Sequence, residues 1–222
     1  MSIENAQLQG PSTQIPIPDP PSYEHCIVAA SAAQRSLKHR RQLARQQLRQ
    51  QCARVYAELR DKALAFLITA EWLKGEAAVQ GIRVPPSEAS ASYRQLLNNP
   101  AGPSIARRLR REGMSTTDEL LQLRLEKLSE KLQNKLTAGD NSVPPAQIAR
   151  YYHTHSSEFR HQTPAAAAPA IRQTLLAIER ERQVAAFAAA YRQRWKQRTS
   201  CQPAFIVAEC RNGPPLPASP SK

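Results

Sequence analysis

Glycine is scarce in this chain, with 7 among 222 residues, and aromatic side chains make up only 5%. A core must therefore come mainly from Leu, Ala, Ile and Val, which the 41% hydrophobic content allows. Alternating runs of β-branched residues are missing, so sheet-based folds are disfavoured from the outset. No apolar run approaches the ~20 residues that cross a bilayer. The stretch Met1 to Pro21 is polar and proline-rich. It lacks the basic start and apolar middle of a signal peptide, which leaves a cytoplasmic chain or a true start upstream of Met1. No P-loop, dinucleotide fingerprint or nucleophile elbow occurs, and no pair of cysteines has CxxC spacing. The sequence thus offers no cofactor, no metal centre and no catalytic residue to name.

What is abundant is Ala, Leu, Arg, Gln and Glu, which lose little side-chain freedom in a helix. The length suits one or two domains. Net charge is +13, from 31 Lys and Arg against 18 Asp and Glu. A basic field favours anionic partners, such as an anionic cell-envelope surface or nucleic acid, yet charge alone names none of them, and a soluble basic surface has the same composition.

The four cysteines are Cys26, Cys52, Cys201 and Cys210. An even number without short metal-ligand spacings favours disulfides over zinc. Local pairing, Cys26 with Cys52 and Cys201 with Cys210, is the simplest of the three connectivities; four free buried thiols are the alternative. Each local loop closure would stabilise the fold by about 2–4 kcal/mol.

Along the chain, residues 1–34 read as a flexible Pro-rich lead-in, because the prolines of Pro16 to Pro21 forbid helix. From about Ala33 a long helix is expected. Its first part is basic (Arg35, Lys38, Arg40, Arg41, Arg45, Arg49). Val55, Tyr56, Leu59, Ala63, Phe66, Leu67, Ala70 and Leu73 then form one apolar stripe. Gly75, Gly81 and Val84-Pro85-Pro86 end it. Pro86 opens a second helix at its first position, and a short third follows Pro103 and closes at Gly113. Thr116 to Glu119 fits a capping box with Thr116 as cap and Glu119 reaching back. Leu121, Leu125, Leu128, Leu132 and Leu136 follow, opposite a mixed-charge face with Glu119, Glu126 and Lys127. A helix over Pro145 to His155 and a last long helix from Pro164 to about Arg198 complete the set. Phe205 to Val207 is a short strand or extended arm, and residues 212–222 are a disordered tail. The expectation is an all-α chain of five to six helices, two of them long, with a helical domain over 35–211. Within that domain, residues 35–162 would be completed by the helix 163–198 and the Cys-bounded segment 199–211.

Four stretches in order resemble the actinobacterial branch of SurA/PrsA-type foldases. They are Ile17-Pro18-Asp19-Pro20-Pro21-Ser22-Tyr23 with Cys26-Ile27; Cys52 to Tyr56 with Ala63 to Ala77 and Gly81-Ile82; Gly113 to Leu121 with Val143 to Tyr152 and Glu158-Phe159; and Phe187 with Trp195 to Cys201, Val207 and Cys210. The resemblance implies a SurA- or trigger-factor-like helical chaperone core, an extracytoplasmic or cell-envelope location, and unfolded or nascent exported polypeptides as partners. In that family a parvulin prolyl isomerase domain follows the Tyr-Tyr helix. Here only about eight residues separate Phe159 from Ala168, whereas a folded domain takes at least about 50. The resemblance therefore implies a chaperone module without the isomerase.

Phe66, Trp72, Tyr93, Tyr151, Tyr152, Tyr191 and Trp195 are the candidate client-binding side chains, since exposed apolar surface can hold unfolded segments without sequence readout. Core packing is the competing role for any one of them. His153 and His155 point apart on a helix and His161 lies in a loop, so surface histidines are expected. Glu71 and Glu76 are five apart and do not stack. Nucleic-acid binding through the Arg-rich helix at 35–54 is the alternative function, disfavoured because no recognition motif accompanies it.

Overall fold

The computed structural model describes residues 2–3, 13–17, 19–35, 43–111, 114–139 and 142–217. Among them run seven α-helices: α1 (Glu24–Arg35), α2 (Arg45–Val79), α3 (Pro86–Asn98), α4 (Gly102–Arg111), α5 (Thr116–Leu136), α6 (Pro145–Thr154) and α7 (Pro164–Gln197). The fold is all-α. Its only described strands are three of two residues each, β1 (Ser2–Ile3), β2 (Thr13–Gln14) and β3 (Thr199–Ser200), in an antiparallel sheet with β1 in the middle.

The helix expected from Ala33 is two helices, α1 and α2, and α1 starts inside the segment expected to be a lead-in. The basic residues Lys38, Arg40 and Arg41, the expected cap Gly113, and residues 218–222 of the tail lie outside the described residues. The chain divides into two compact units. Unit 1 is Met1–Trp72 with Trp195–Ala218, and unit 2 is Leu73–Arg194 with Ser219–Lys222.

Unit 1 is held by both disulfides. Cys26–Cys52 joins α1 to α2 across a Cα separation of 6.0 Å, and Cys201–Cys210 closes the C-terminal segment across 5.7 Å. Around the first lies a small cluster of Ile27, Leu48 and Cys52, flanked by Tyr23 and Ala30. Tyr23 leads into α1 at φ 64°, a left-handed conformation that L residues other than Asn and Asp seldom take. Its ring meets Tyr56 edge-on at 5.8 Å, and its carbonyl accepts from the Ile27 amide. Farther along α2, Leu64, Ile68 and Trp72 are buried. Trp72 Nε1 donates to Thr199 Oγ1 at 2.8 Å, and that hydroxyl donates to the Trp195 carbonyl at 2.9 Å. The segment 205–207 is not a strand: a 3-10 turn over Pro203–Phe205 occupies its start, and the pairing falls at β3 instead. Gly213 is required where the chain folds back, because a Cβ there would lie 2.0 Å from the Val207 carbonyl oxygen.

In unit 2, Gly81 at φ 70° turns the chain out of α2, and Pro86 opens α3 within its first turn. Val84, Ala77 and Leu128 form a core with Leu73 and Ile82. Lys131 Nζ ties α5 to α3 through Glu88 Oε2 at 2.7 Å and also donates to the Arg83 carbonyl. Leu125, Leu128 and Leu132 of the predicted leucine stripe are buried, and Leu121 and Leu136 are half-buried. The cap of α5 lies one residue earlier than expected. Ser115 is the N-cap, its Oγ accepting from the Asp118 amide while Asp118 Oδ2 accepts from the Ser115 amide at 2.9 Å. Glu119, expected to reach back from a solvated face, is itself buried. Both registers satisfy the three-residue spacing, and the shorter aspartate is the one that closes the box. A second core joins α6 to α7 through Ile148, Ala167 and Ile171, with Tyr151, Tyr152 and Phe159 packed on it. The connection between those helices, His155–Thr163, is a run of turns.

Candidate binding surface

The site follows from how α2 spends its apolar residues. At about 100° per residue, Val55, Leu59 and Phe66 lie within about 60° of Leu48 and Cys52. Leu48 and Cys52 are buried, 3% exposed each, in the α1 cluster. Val55, Leu59 and Phe66 extend that same face but remain 46%, 59% and 44% exposed. Meanwhile the buried side of α2 within unit 1 moves round to Leu64, Ile68 and Trp72, roughly the opposite flank. Of the predicted stripe, Ala70 is buried, Tyr56, Leu67 and Leu73 are half-buried, and Val55, Leu59, Ala63 and Phe66 are exposed. Val55 and Leu59 differ from the predicted core in this respect, and the reason is supply: the described part of α1 offers its apolar cover at Ile27 and Ala30, opposite Leu48 and Cys52.

Beside the uncovered stretch runs an extended arm, Ile15-Pro16-Ile17. Between the arm and Tyr56, Leu59, Ala63 and Leu67 of α2 lies an apolar groove of about 400 Å³. Ile15 is buried at its inner edge, Ile17 half-buried, and Pro16 exposed. Arg60 forms one rim. Its guanidinium stacks over the Phe205 ring at 4.9 Å and donates twice to Asp61 Oδ1, at 2.9 and 2.7 Å, so the charge is held to the side of the apolar floor. On the other side of the arm, Gln202 and Phe205 help to line a second opening of about 490 Å³.

The seven aromatic candidates are divided between the two units. Phe66 is exposed on α2, next to the groove-lining Leu67. Trp72 and Trp195 are core side chains, 0% and 2% exposed, and cannot present a ring to a client. In unit 2, Tyr93 is half-buried on α3. Tyr151 and Tyr152 pack with Phe159, Tyr151 stacks on His155 at 3.9 Å, and Tyr152 Oη donates to the Gln162 carbonyl. Tyr191 lies against Phe187, and burial raises its phenol above the usual tyrosine range. The groove and surface residues that sequence reasoning missed are the buried Ile15, the half-buried Ile17, and the exposed Val55, Leu59 and Ala63. The one signal for them was an Ile-Pro-Ile run, apolar yet barred from helix, that needs an apolar neighbour.

Other chemistry is structural. Glu76 is 2% exposed in unit 2 and pairs with Arg194 at 3.0 Å. Among the described residues, no three His, Cys, Asp or Glu side chains gather as a metal-ligand set. A larger opening in unit 2, about 710 Å³ between the end of α5 and α7, has Arg182 and Gln183 on its rim, both donating to the Glu179 carboxylate. No helix is long and apolar enough to cross a membrane, among the described residues. Comparison with family models, curated proteins and solved structures finds no match for this chain.

Proposed function

We propose that this chain is an ATP-independent chaperone module, foldase-like but without an isomerase domain, that holds unfolded exported polypeptides outside the cytoplasm. The observation that carries the reading is the apolar groove on α2, lined in part by the exposed Leu59. Exposed contiguous apolar surface is the common means of holding unfolded segments, which themselves expose apolar side chains. The two disulfides support an oxidising compartment, where such bonds persist. The net charge of +13 supports attraction to acidic clients or to an anionic envelope surface. Binding in this reading is governed by apolar burial, at roughly 25 cal/mol per Å², and needs no nucleotide.

The test is light scattering of a chemically unfolded model client diluted into buffer with equimolar protein. The unmodified chain should suppress aggregation, and Leu59→Asp, which places a charge on the groove floor, should abolish the suppression. Equal aggregation with and without the unmodified protein would refute the proposal. Filter binding to DNA and RNA at low salt separates it from the nucleic-acid alternative, which requires steep salt dependence.

A further inference from the structure

The arm on the groove has the chemistry of a client. Ile15-Pro16-Ile17 is apolar and proline-containing, lies outside the helices and strands, and lines one groove together with Tyr56, Leu59 and Ala63. The α2 face is therefore complementary to one identifiable kind of ligand, because the chain supplies an example of it. Ile15 anchors the arm by burial, whereas Pro16 is exposed and Ile17 only half-buried. Open volumes of about 400 and 490 Å³ both border it. Strand pairing to β1 ends at Gln14, and no hydrogen bond between described residues holds Pro16 or Ile17. Pro16 has no amide hydrogen to offer. Segments with few buried contacts and few backbone bonds open at low free-energy cost.

We propose that the arm Ile15–Ile17 is a built-in placeholder, and that the groove takes extended client segments in which proline is flanked by branched apolar residues. This rests on the chaperone reading of the same groove. A client segment displaces the arm and occupies the face that the arm half covers. The apparent affinity is reduced by the fraction of time the arm is seated.

The experiment uses the full oxidised chain and a fluorescent synthetic peptide with the core Gln-Ile-Pro-Ile, read by anisotropy, with a control peptide carrying Asp for both Ile. Ile15→Ser combined with Ile17→Ser should bind the peptide about tenfold more tightly than the unmodified chain, if the arm is seated about nine-tenths of the time. Leu59→Asp should weaken binding in both backgrounds, and the control peptide should bind neither. Unchanged or weaker binding by the arm variant would overturn the placeholder. Amide resonances of the unmodified chain give a second reading that does not depend on the variant's folding. Saturating peptide should move the Ile15 and Ile17 resonances toward random-coil positions, and unmoved resonances overturn the proposal. If the unmodified chain suppresses client aggregation while both readings fail, only the placeholder falls. If neither client nor peptide binds any form, the groove reading falls with it.

Discussion

Cys26 and Cys210 differ most in their access to solvent: Cys26 is exposed on α1, whereas Cys210 is 0% exposed and its sulfur accepts from the Val207 amide. Thiol exchange requires the attacking thiolate to reach a sulfur. Under graded reductant, Cys26–Cys52 should therefore open first, as mass mapping of alkylated thiols would record; simultaneous or reversed opening would contradict the burial argument. A second prediction concerns the α5 cap. Ser115→Ala should cost about 1 kcal/mol in urea unfolding at neutral pH. The Ser115 hydroxyl, and then the Ser115 amide, hold the Asp118 carboxyl below the ordinary aspartate range. A folded pKa lowered in this way contributes stability above the ordinary aspartate value and loses it as pH falls through the lowered one. The difference between the unmodified chain and Asp118→Ala should thus shrink on acidification, and a gap that persists at acid pH would argue against the carboxylate. Residue identity made both features readable in outline. The cysteine pairs follow the local connectivity, but the cap register differs from the expected one, since Ser115-Thr116-Thr117-Asp118-Glu119 contains two overlapping boxes and Ser115 with Asp118 is the one that closes.

Among the helices, α5 and α2 contrast two relations between pattern and burial. The leucines of α5 meet α3 and the end of α2 as their spacing predicts, and Leu128 is 3% exposed within the core of Ala77 and Val84. Leu128→Ala should destabilise by about 2–5 kcal/mol. Leu59→Ala removes a side chain that is 59% exposed and should change stability by less than about 0.5 kcal/mol, while weakening client holding. Thermal unfolding and light scattering on the same two variants separate the effects; equal stability losses would mean that the α2 stripe is core after all. Periodicity could not distinguish these cases, because a helix face reads as apolar whether the partner that covers it belongs to the chain or to another molecule. The same limit applies to Trp72, whose spacing fits a surface aromatic as well as the buried donor to Thr199 that it is.

For the molecule as a whole, unit 1 depends on residues from both ends of the sequence. Trp195, Thr199, Val207 and Cys210 are all buried in it, with Thr199 joining the C-terminal segment to Trp72. Ending the chain at Arg194 should accelerate hydrogen exchange across residues 45–72 and leave the α5 leucine segment of unit 2 protected; uniform loss of protection would show that the units do not fold separately. The sequence by itself determined the helical class, the breaks at Pro86, Pro145 and Pro164, the leucine core of α5 and the two local cysteine pairs, because these depend on backbone propensity, missing amide hydrogens and short loop closure. Only the tertiary structure decided where the chain divides into units, which flank of α2 is covered, and that Ile15–Ile17 lies along the part left open. Those outcomes depend on which distant segment reaches a surface first and how much of it the segment covers, and neither quantity is written in the spacing of residues along one helix.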